Sequence, residues 1–221
     1  MAEESKVGLR HGPLGPNCVH VCVDMQHIFA DETPWHAPWM RRILPNVVKL
    51  VEARPAETIL TRFIPAERPG QGEGAWKRYY ENWHNMTIAE LGPEAVELLP
   101  ELKRFVPPAI VIDKRLYSPW FDTDLRDLLK KRGTDTLIVT GGETDVCVPG
   151  TVFGAVDLGF RVIVVRDALC SSSDEAHDAL VGVFEKRFGQ QIEVALVDDL
   201  IAQWTEGRSQ EPNQSFLRAA S

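Results

Sequence analysis

The chain has 221 residues, of which 44% are hydrophobic and 25% are charged, as in soluble globular proteins. Its formal net charge of -8 excludes nucleic acid and anionic membrane surfaces as main partners. A single α/β domain over residues 1–221 is expected at this length, with a core at 18–204, a peripheral leader at 1–16 and a polar tail at 205–221.

The expected compartment is the cytoplasm, without attachment to a membrane. A membrane-spanning helix needs roughly 18 consecutive apolar residues, and the sequence contains no such run. The leader carries acidic residues and lacks the apolar stretch of a secretory signal. Cys18 and Cys22 share one short predicted strand, whose extended geometry disfavours a bridge between them. Reduced thiols are therefore expected for all four cysteines, Cys18, Cys22, Cys147 and Cys170.

Short runs rich in Val and Ile alternate with helical patterns along the chain. Buried parallel strands have this composition. The predicted strands are 18–24, 58–61, 109–113, 136–140, 161–165 and 192–197. The predicted helices are about 39–53, 94–99, 122–132, 147–158, 174–187 and 198–204. This alternation predicts a three-layer, Rossmann-like α/β fold, in which helices cover both faces of a six-stranded, mostly parallel sheet.

Three reactive side chains lie at the carboxyl ends of different predicted strands. Asp24 ends the first strand, Lys114 follows the third, and Cys147 follows the fourth strand and its turn. Ligands of open α/β sheets bind in the crevice outside these strand ends. We therefore expect an acid, an amine and a thiol to converge there, a set suited to attack by sulfur on a small carbonyl compound.

Cys147 is also predicted to begin a helix, because Pro149 fits only near a helix start. The helix dipole would then lower the thiol pKa, and N–H groups of the preceding turn are natural oxyanion donors. A less specific reading is open for each residue. Cys147 can be a small buried hydrophobe, Asp24 a turn residue, and Lys114 a member of a surface charge cluster.

The segment 62–86 is predicted to be long and irregular, and loops of this length tend to be functional. Its stretch Trp76–Trp83 is interpreted as a lid or pocket wall that excludes water. The alternatives are a surface helix with an aromatic face, part of the core, or a subunit interface. Arg62 and Phe63 follow the second predicted strand and are expected to face the crevice.

No metal and no cofactor are expected. The glycines of 70–74 do not form a dinucleotide-binding fingerprint, and the sequence has no P-loop. The six histidines show no spacing typical of metal ligands.

Residues 18–204 resemble the isochorismatase-like cysteine hydrolase superfamily, which includes nicotinamidases, N-carbamoylsarcosine amidohydrolase and biuret hydrolase. The resemblance is carried by the motifs Val23–Gln26 with Phe29, Asp113–Arg115 and Thr140–Val148, and is supported by Gly159–Val162 and Asp167–Ala168. It implies a six-stranded parallel sheet between helices, a homodimer or homotetramer, and a small-molecule substrate.

The resemblance also implies roles for individual residues. Cys147 would be the nucleophile, Asp24 would accept and return its proton, and Lys114 would hold the thiolate. The backbone N–H groups of Glu143 and Cys147 would form the oxyanion hole, and a cis peptide bond would join Gly142 to Glu143.

The sequence departs from nicotinamidases directly after the second strand. Those enzymes have an Asp-x-His metal motif where this chain has Thr61–Pro65, so nicotinamide is not the expected substrate. Arg62 is expected to meet a carbonyl or carboxylate of the substrate instead. The predicted substrate-binding residues are Gln26, Phe29, Arg62, Phe63, Trp76, Tyr80, Trp83 and Tyr117.

The expected function is an amidohydrolase that cleaves a linear amide or carbamoyl C–N bond through a thioester-type intermediate and releases ammonia. Two alternatives stay open at this point. One is a vinyl-ether hydrolase of the isochorismatase type, which does not need the cysteine. The other is a catalytically silent protein of the same fold that binds a small molecule.

Overall fold

The computed structural model describes residues 9–206; residues 1–8 of the predicted leader and 207–221 of the predicted tail lie outside the described residues. The strands are β1 Cys18–Val23, β2 Thr58–Phe63, β3 Ile110–Lys114, β4 Thr136–Gly142, β5 Arg161–Cys170 and β6 Ile192–Ala195. The α-helices are α1 His27–Ala30, α2 Met40–Ala53, α3 Ala75–Asn82, α4 Ile88–Leu91, α5 Pro100–Lys103, α6 Leu125–Lys131, α7 Cys147–Asp157, α8 Asp174–Arg187 and α9 Val197–Glu206.

All six strands form one sheet in the order β3-β2-β1-β4-β5-β6, and every neighbouring pair is parallel. The predicted fold class is therefore confirmed. The strand order reverses between β1 and β4, which are neighbours in the sheet although they are far apart in the chain. Such a switch point opens a crevice at the carboxyl ends of the strands. Asp24 follows β1 and Cys147 begins the helix after β4, so both lie at this crevice.

Each face of the sheet carries its own hydrophobic core, because successive side chains of a strand point to opposite faces. In β1, Val19, Val21 and Val23 belong to the cluster that includes residues of α6, α7 and α8. Cys18 and Cys22 belong to the cluster on the opposite face, which includes residues of α2 and α9. Within residues 9–206, no helix has the length and apolar character required to cross a bilayer.

The segment 62–86 differs from the irregular loop that its composition suggested. It contains the helix α3, in which Trp76, Tyr79 and Tyr80 share one face with Trp83, which follows the helix. Residues at i, i+3, i+4 and i+7 lie on one side of a helix, so the aromatic rings face inward together. The predicted short helix near 94–99 is a 3₁₀ turn at Pro93–Val96 between two short α-helices.

Glycine is required at the end of β4, where the chain turns towards Cys147. Gly141 has a φ of 98°, and a Cβ atom there would lie 2.0 Å from the carbonyl oxygen of Val23 in β1. Gly159 has a φ of 85°, but a Cβ atom there meets nothing within 4 Å. Both positions thus require a positive φ, but only Gly141 lacks room for a Cβ atom.

We expect Gly141→Ala to lower the free energy of unfolding by roughly 3 kcal/mol or more, because the methyl group collides with β1. The matched variant Gly159→Ala should cost about 1–2 kcal/mol, which is the left-handed conformation alone. Urea unfolding of both variants measures the difference. Equal losses at the two positions would show that the close approach to Val23 is unimportant.

Candidate active site

Asp24 and Lys114 form a fully buried ion pair at the carboxyl end of the sheet. Lys114 Nζ lies 2.7 Å from Asp24 Oδ2, and neither side chain has any solvent exposure. The ammonium also donates to the carbonyl oxygen of Leu116 at 3.1 Å and lies 5.2 Å from the Phe63 ring centroid. Burial disfavours the ammonium and is the largest single effect, but the charges and hydrogen bonds of Asp24 and Cys147 together outweigh it and raise the pKa of Lys114. Lys114 is therefore a fixed cation in this site.

Thr61 orients the carboxylate of Asp24. Its hydroxyl donates to Asp24 Oδ1 at 2.6 Å, and its carbonyl oxygen accepts from the backbone N–H of Asp24 at 3.2 Å. Asp24 has a φ of 52°, a region that residues other than glycine adopt sparingly and mostly at functional sites. With Oδ1 occupied by Thr61, Oδ2 is directed towards Lys114 and the thiol.

Cys147 begins α7, and its side chain is within hydrogen-bonding reach of both Asp24 and Lys114. Burial raises the pKa of the Cys147 thiol; the Lys114 ammonium lowers it, and the Asp24 carboxylate raises it further. The expectation of a lowered thiol pKa is therefore wrong. A position at a helix start favours thiolate only if the sulfur is hydrated or paired with an excess of positive charge. Here Asp24 already neutralises the cation.

The turn that leads into α7 brings backbone groups towards the sulfur. The peptide bond between Gly142 and Glu143 is cis, as the resemblance implied. The carbonyl oxygen of Glu143 accepts from the N–H groups of Val146 and Val148, each at 3.1 Å. Thr144 N–H donates to the carbonyl oxygen of Cys170 at 2.8 Å, which ties the turn to the end of β5. The turn is thus fixed by its own hydrogen bonds beside Cys147.

A cavity of about 390 Å³ opens onto Cys147. Its wall is largely aromatic and consists of Phe29, Pro34, Trp35, Phe63, Tyr79, Trp83, Tyr117, Glu143, Val146, Cys147 and Ser172. A volume of this size suits a small molecule, and apolar walls with a few polar groups are typical of ligand sites. The cavity is therefore the candidate substrate site.

Four residues predicted to bind substrate line this cavity: Phe29, Phe63, Trp83 and Tyr117. Tyr79, from the stretch Trp76–Trp83 that was interpreted as a lid or pocket wall, also lines it, as does Trp35, which the sequence did not predict. Trp35 lies at the centre of the wall, with ring centroids 6.3 Å from Phe29 and 6.0 Å from Trp83. The sequence signal that could have identified Trp35 is its place in a proline-containing loop that follows β1 and Asp24.

Arg62 does not line the cavity, in contrast to the expectation that it meets a substrate carboxylate. Its guanidinium pairs with Asp113 through two hydrogen bonds of 2.7 and 2.9 Å, and with Glu97 through one of 2.8 Å. Side chains alternate along β2, so Arg62 points away from the face that Thr61 and Phe63 share. Its charge is used in this ion-pair network.

Gln26, Trp76 and Tyr80 lie behind the cavity wall rather than on it. Gln26 is buried and exchanges hydrogen bonds with the backbone of Phe63, so it positions the end of β2. The Trp76 ring packs 4.9 Å from the ring of Tyr117, centroid to centroid, and supports that residue from outside. Tyr80 is 4% exposed and packs against Trp76.

A second cavity, of about 460 Å³, lies between α2 and the start of α8 and is lined by Cys170 and His177 among others. It does not reach Cys147, so of these two cavities the smaller is the one that opens onto the predicted nucleophile. In the part of the chain that the structure describes, no cluster of three or more His, Cys, Asp or Glu side chains is arranged to hold a metal ion. The expected independence from metals stays a prediction.

Comparison with known proteins identifies the family. The model of the isochorismatase domain matches residues 18–195. A probable inactive nicotinamidase from Arabidopsis thaliana is 29% identical over 172 residues, which cover 74% of this chain and 85% of the relative. An N-carbamoylsarcosine amidase from Arthrobacter sp. is 29% identical over 139 residues, covering 62% of this chain and 52% of the relative.

A solved structure agrees with this assignment. The cysteine hydrolase from Pseudomonas syringae pv. phaseolicola 1448A superposes with a TM-score of 0.78 at 25% identity, covering 92% of this chain and 99% of that protein. This chain belongs to the isochorismatase family, among the isochorismatase-like cysteine hydrolases.

Proposed function

We propose that the chain is a cysteine-dependent amidohydrolase that cleaves a linear amide or carbamoyl C–N bond of a small molecule and releases ammonia. The observation that carries the proposal is the buried pair of Asp24 Oδ2 and Lys114 Nζ, 2.7 Å apart, beside the thiol of Cys147. A buried charge pair is costly to maintain for stability alone, and its position next to a nucleophile favours a role in proton transfer.

The first half of the reaction forms the acyl-enzyme. Cys147 Sγ attacks the carbonyl carbon while its proton passes to Asp24 Oδ2, and the carbonyl π electrons move onto oxygen. The N–H groups of Glu143 and Cys147 stabilise that oxyanion. The C–N bond then breaks, the nitrogen takes the proton from Asp24, and ammonia leaves a thioester, or an S-carbamoyl group, on Cys147.

The second half consumes water. Asp24 takes a proton from a water molecule as its oxygen attacks the thioester carbon. The second tetrahedral intermediate collapses with cleavage of the C–S bond, and the sulfur takes back the proton from Asp24. The balance is amide plus water to acid plus ammonia. Lys114 offsets the negative charge on the sulfur in both halves, first when the thiol is deprotonated and later when the C–S bond breaks.

Intact-protein mass spectrometry with a panel of primary amides tests the proposal. An adduct with the mass of the acyl group on Cys147, together with equimolar release of ammonia, is the expected result. Hydrolysis of a vinyl ether without an adduct, retained in the Cys147→Ala variant, would support the vinyl-ether alternative. Binding without any turnover or adduct would support the catalytically silent alternative; one plant relative is named a probable inactive nicotinamidase.

We also propose that the reaction needs no metal. Exhaustive dialysis against a chelator should leave kcat and KM within about twofold of their starting values, because the proposed charge stabilisation comes from Lys114 and backbone N–H groups. Loss of activity that zinc or iron restores would contradict this. The cytoplasmic location and the homodimeric or homotetrameric state stay proposals of the same kind, and light scattering tests the latter.

A further inference from the structure

We infer that the substrate carries no anionic group, and that the part beyond its amide is an apolar, preferably planar body. The inference rests on the proposed function, because it describes the ligand of the same cavity. It is carried by the aromatic lining of that cavity and by the charges around it.

The aromatic rings of the cavity wall contact one another and form one continuous surface. The Trp35 ring centroid lies 6.1 Å from Phe63, 5.8 Å from Tyr79 and 6.0 Å from Trp83. Offset and edge-to-face contacts at such distances present ring faces and edges to a planar ligand. Burial raises the pKa values of both Tyr79 and Tyr117, so both phenols stay neutral. The wall therefore favours an apolar body.

Positive charge is absent from the described part of this wall. Among the described residues that line the cavity, Glu143 is the one acidic or basic side chain besides the thiol. The cations closest to the lining are already paired, Arg62 with Asp113 and Glu97, and Lys114 with Asp24. Arg115 is exposed and does not line the cavity. A substrate carboxylate would lose its hydration without gaining a cationic partner and would face Glu143, which is strongly unfavourable.

Calorimetric binding to the Cys147→Ala variant tests the inference with three ligands on one skeleton. These are phenylacetamides whose para substituent is a methyl ester, a carboxylate or a trimethylammonium group. The ester should bind at least roughly tenfold more tightly than the carboxylate. The trimethylammonium compound should also bind more tightly than the carboxylate, because aromatic faces and Glu143 attract cations. Since the variant lacks the sulfur, failure of the proposed chemistry leaves this comparison intact.

Glu143→Gln keeps an acceptor for the N–H of Ser172, which donates to Glu143 Oε2 at 2.7 Å, and removes only the charge. We expect this variant to reduce the ratio of the carboxylate and ester dissociation constants at least threefold; this ratio is the gap between the two ligands. Asp145→Asn, a neutralisation two residues away and outside the cavity lining, should leave the gap unchanged. Carboxylate binding as tight as ester binding, or no binding by any of the three ligands, would overturn the inference.

Discussion

The Cys147→Ala variant is expected to lose amide turnover by roughly 10⁴-fold or more while it folds as the wild-type protein does. The loss follows because no other described sulfur lines the cavity, and the covalent route ends without it. The fold should persist because the change removes one atom from a side chain that is 5% exposed, at the edge of a core rather than in its centre. Ammonia release and urea unfolding on the same preparation measure both quantities.

Cys18→Ala is the matched control for this experiment. Cys18 is as buried as Cys147, at 2% exposure, but lies at the amino end of β1, the opposite end of the strand from Asp24. The control should show a similar or larger loss of stability and nearly wild-type turnover. Residual activity of Cys147→Ala within tenfold of wild type would remove Cys147 from the nucleophile role. Equal losses of activity in both variants would point to a general packing effect.

The fold and the meeting of Asp24, Lys114 and Cys147 could be predicted because they depend on local patterns. A short run of Val and Ile marks a buried strand, and the residue that follows it must lie at one edge of the sheet. This reasoning gives the shared edge of the sheet, whereas contact among the three side chains also depends on which strands are neighbours. The observed order β3-β2-β1-β4 places β1 beside β4 and one strand away from β3, so the three side chains are brought together.

The lining of the cavity was less predictable, since it depends on partners distant in the chain. Arg62 was expected in the cavity, but Glu97, from a different segment, and Asp113, opposite it in β3, hold its charge elsewhere. Tyr79 and Tyr80 are adjacent in sequence, and only the rotation of α3 decides which one faces the cavity. Neither ion-pair partners nor helix rotation can be derived from composition.

The raised thiol pKa changes how the three groups are understood. A free thiolate held by Lys114 would need no base, whereas a protonated thiol beside an Asp24–Lys114 pair needs one at each turnover. In the proposed mechanism Lys114 acts twice: it pairs with Asp24 in the resting site, and with the sulfur once Asp24 has taken the proton. A negative charge moves between two positions next to one fixed cation, so no buried charge is left unpaired.

This exchange predicts opposite effects of Asp24→Asn on turnover and on thiol reactivity. Turnover should fall roughly 10³-fold or more, because the general base is lost. The thiol pKa should also fall, because the carboxylate that raises it is gone and Lys114 is left with the sulfur as its counter-charge. The thiolate fraction at neutral pH therefore rises, and iodoacetamide should alkylate Cys147 faster in this variant than in the wild type.

Alkylation rates between pH 6 and 10, with peptide mapping of the modified cysteine, measure the thiol pKa of both proteins. Asp113→Asn is the matched control, since it makes the same change one residue from Lys114 on a side chain that is 50% exposed and paired with Arg62. It should alter neither turnover nor the alkylation profile by more than about twofold, as expected for an exposed ion pair. If Asp24→Asn slows alkylation as well as turnover, the carboxylate promotes thiolate formation in the resting site, and the shared-cation exchange is wrong. Faster alkylation together with lost turnover would show that the Asp24 carboxylate both raises the pKa of the resting thiol and acts as the base in the reaction.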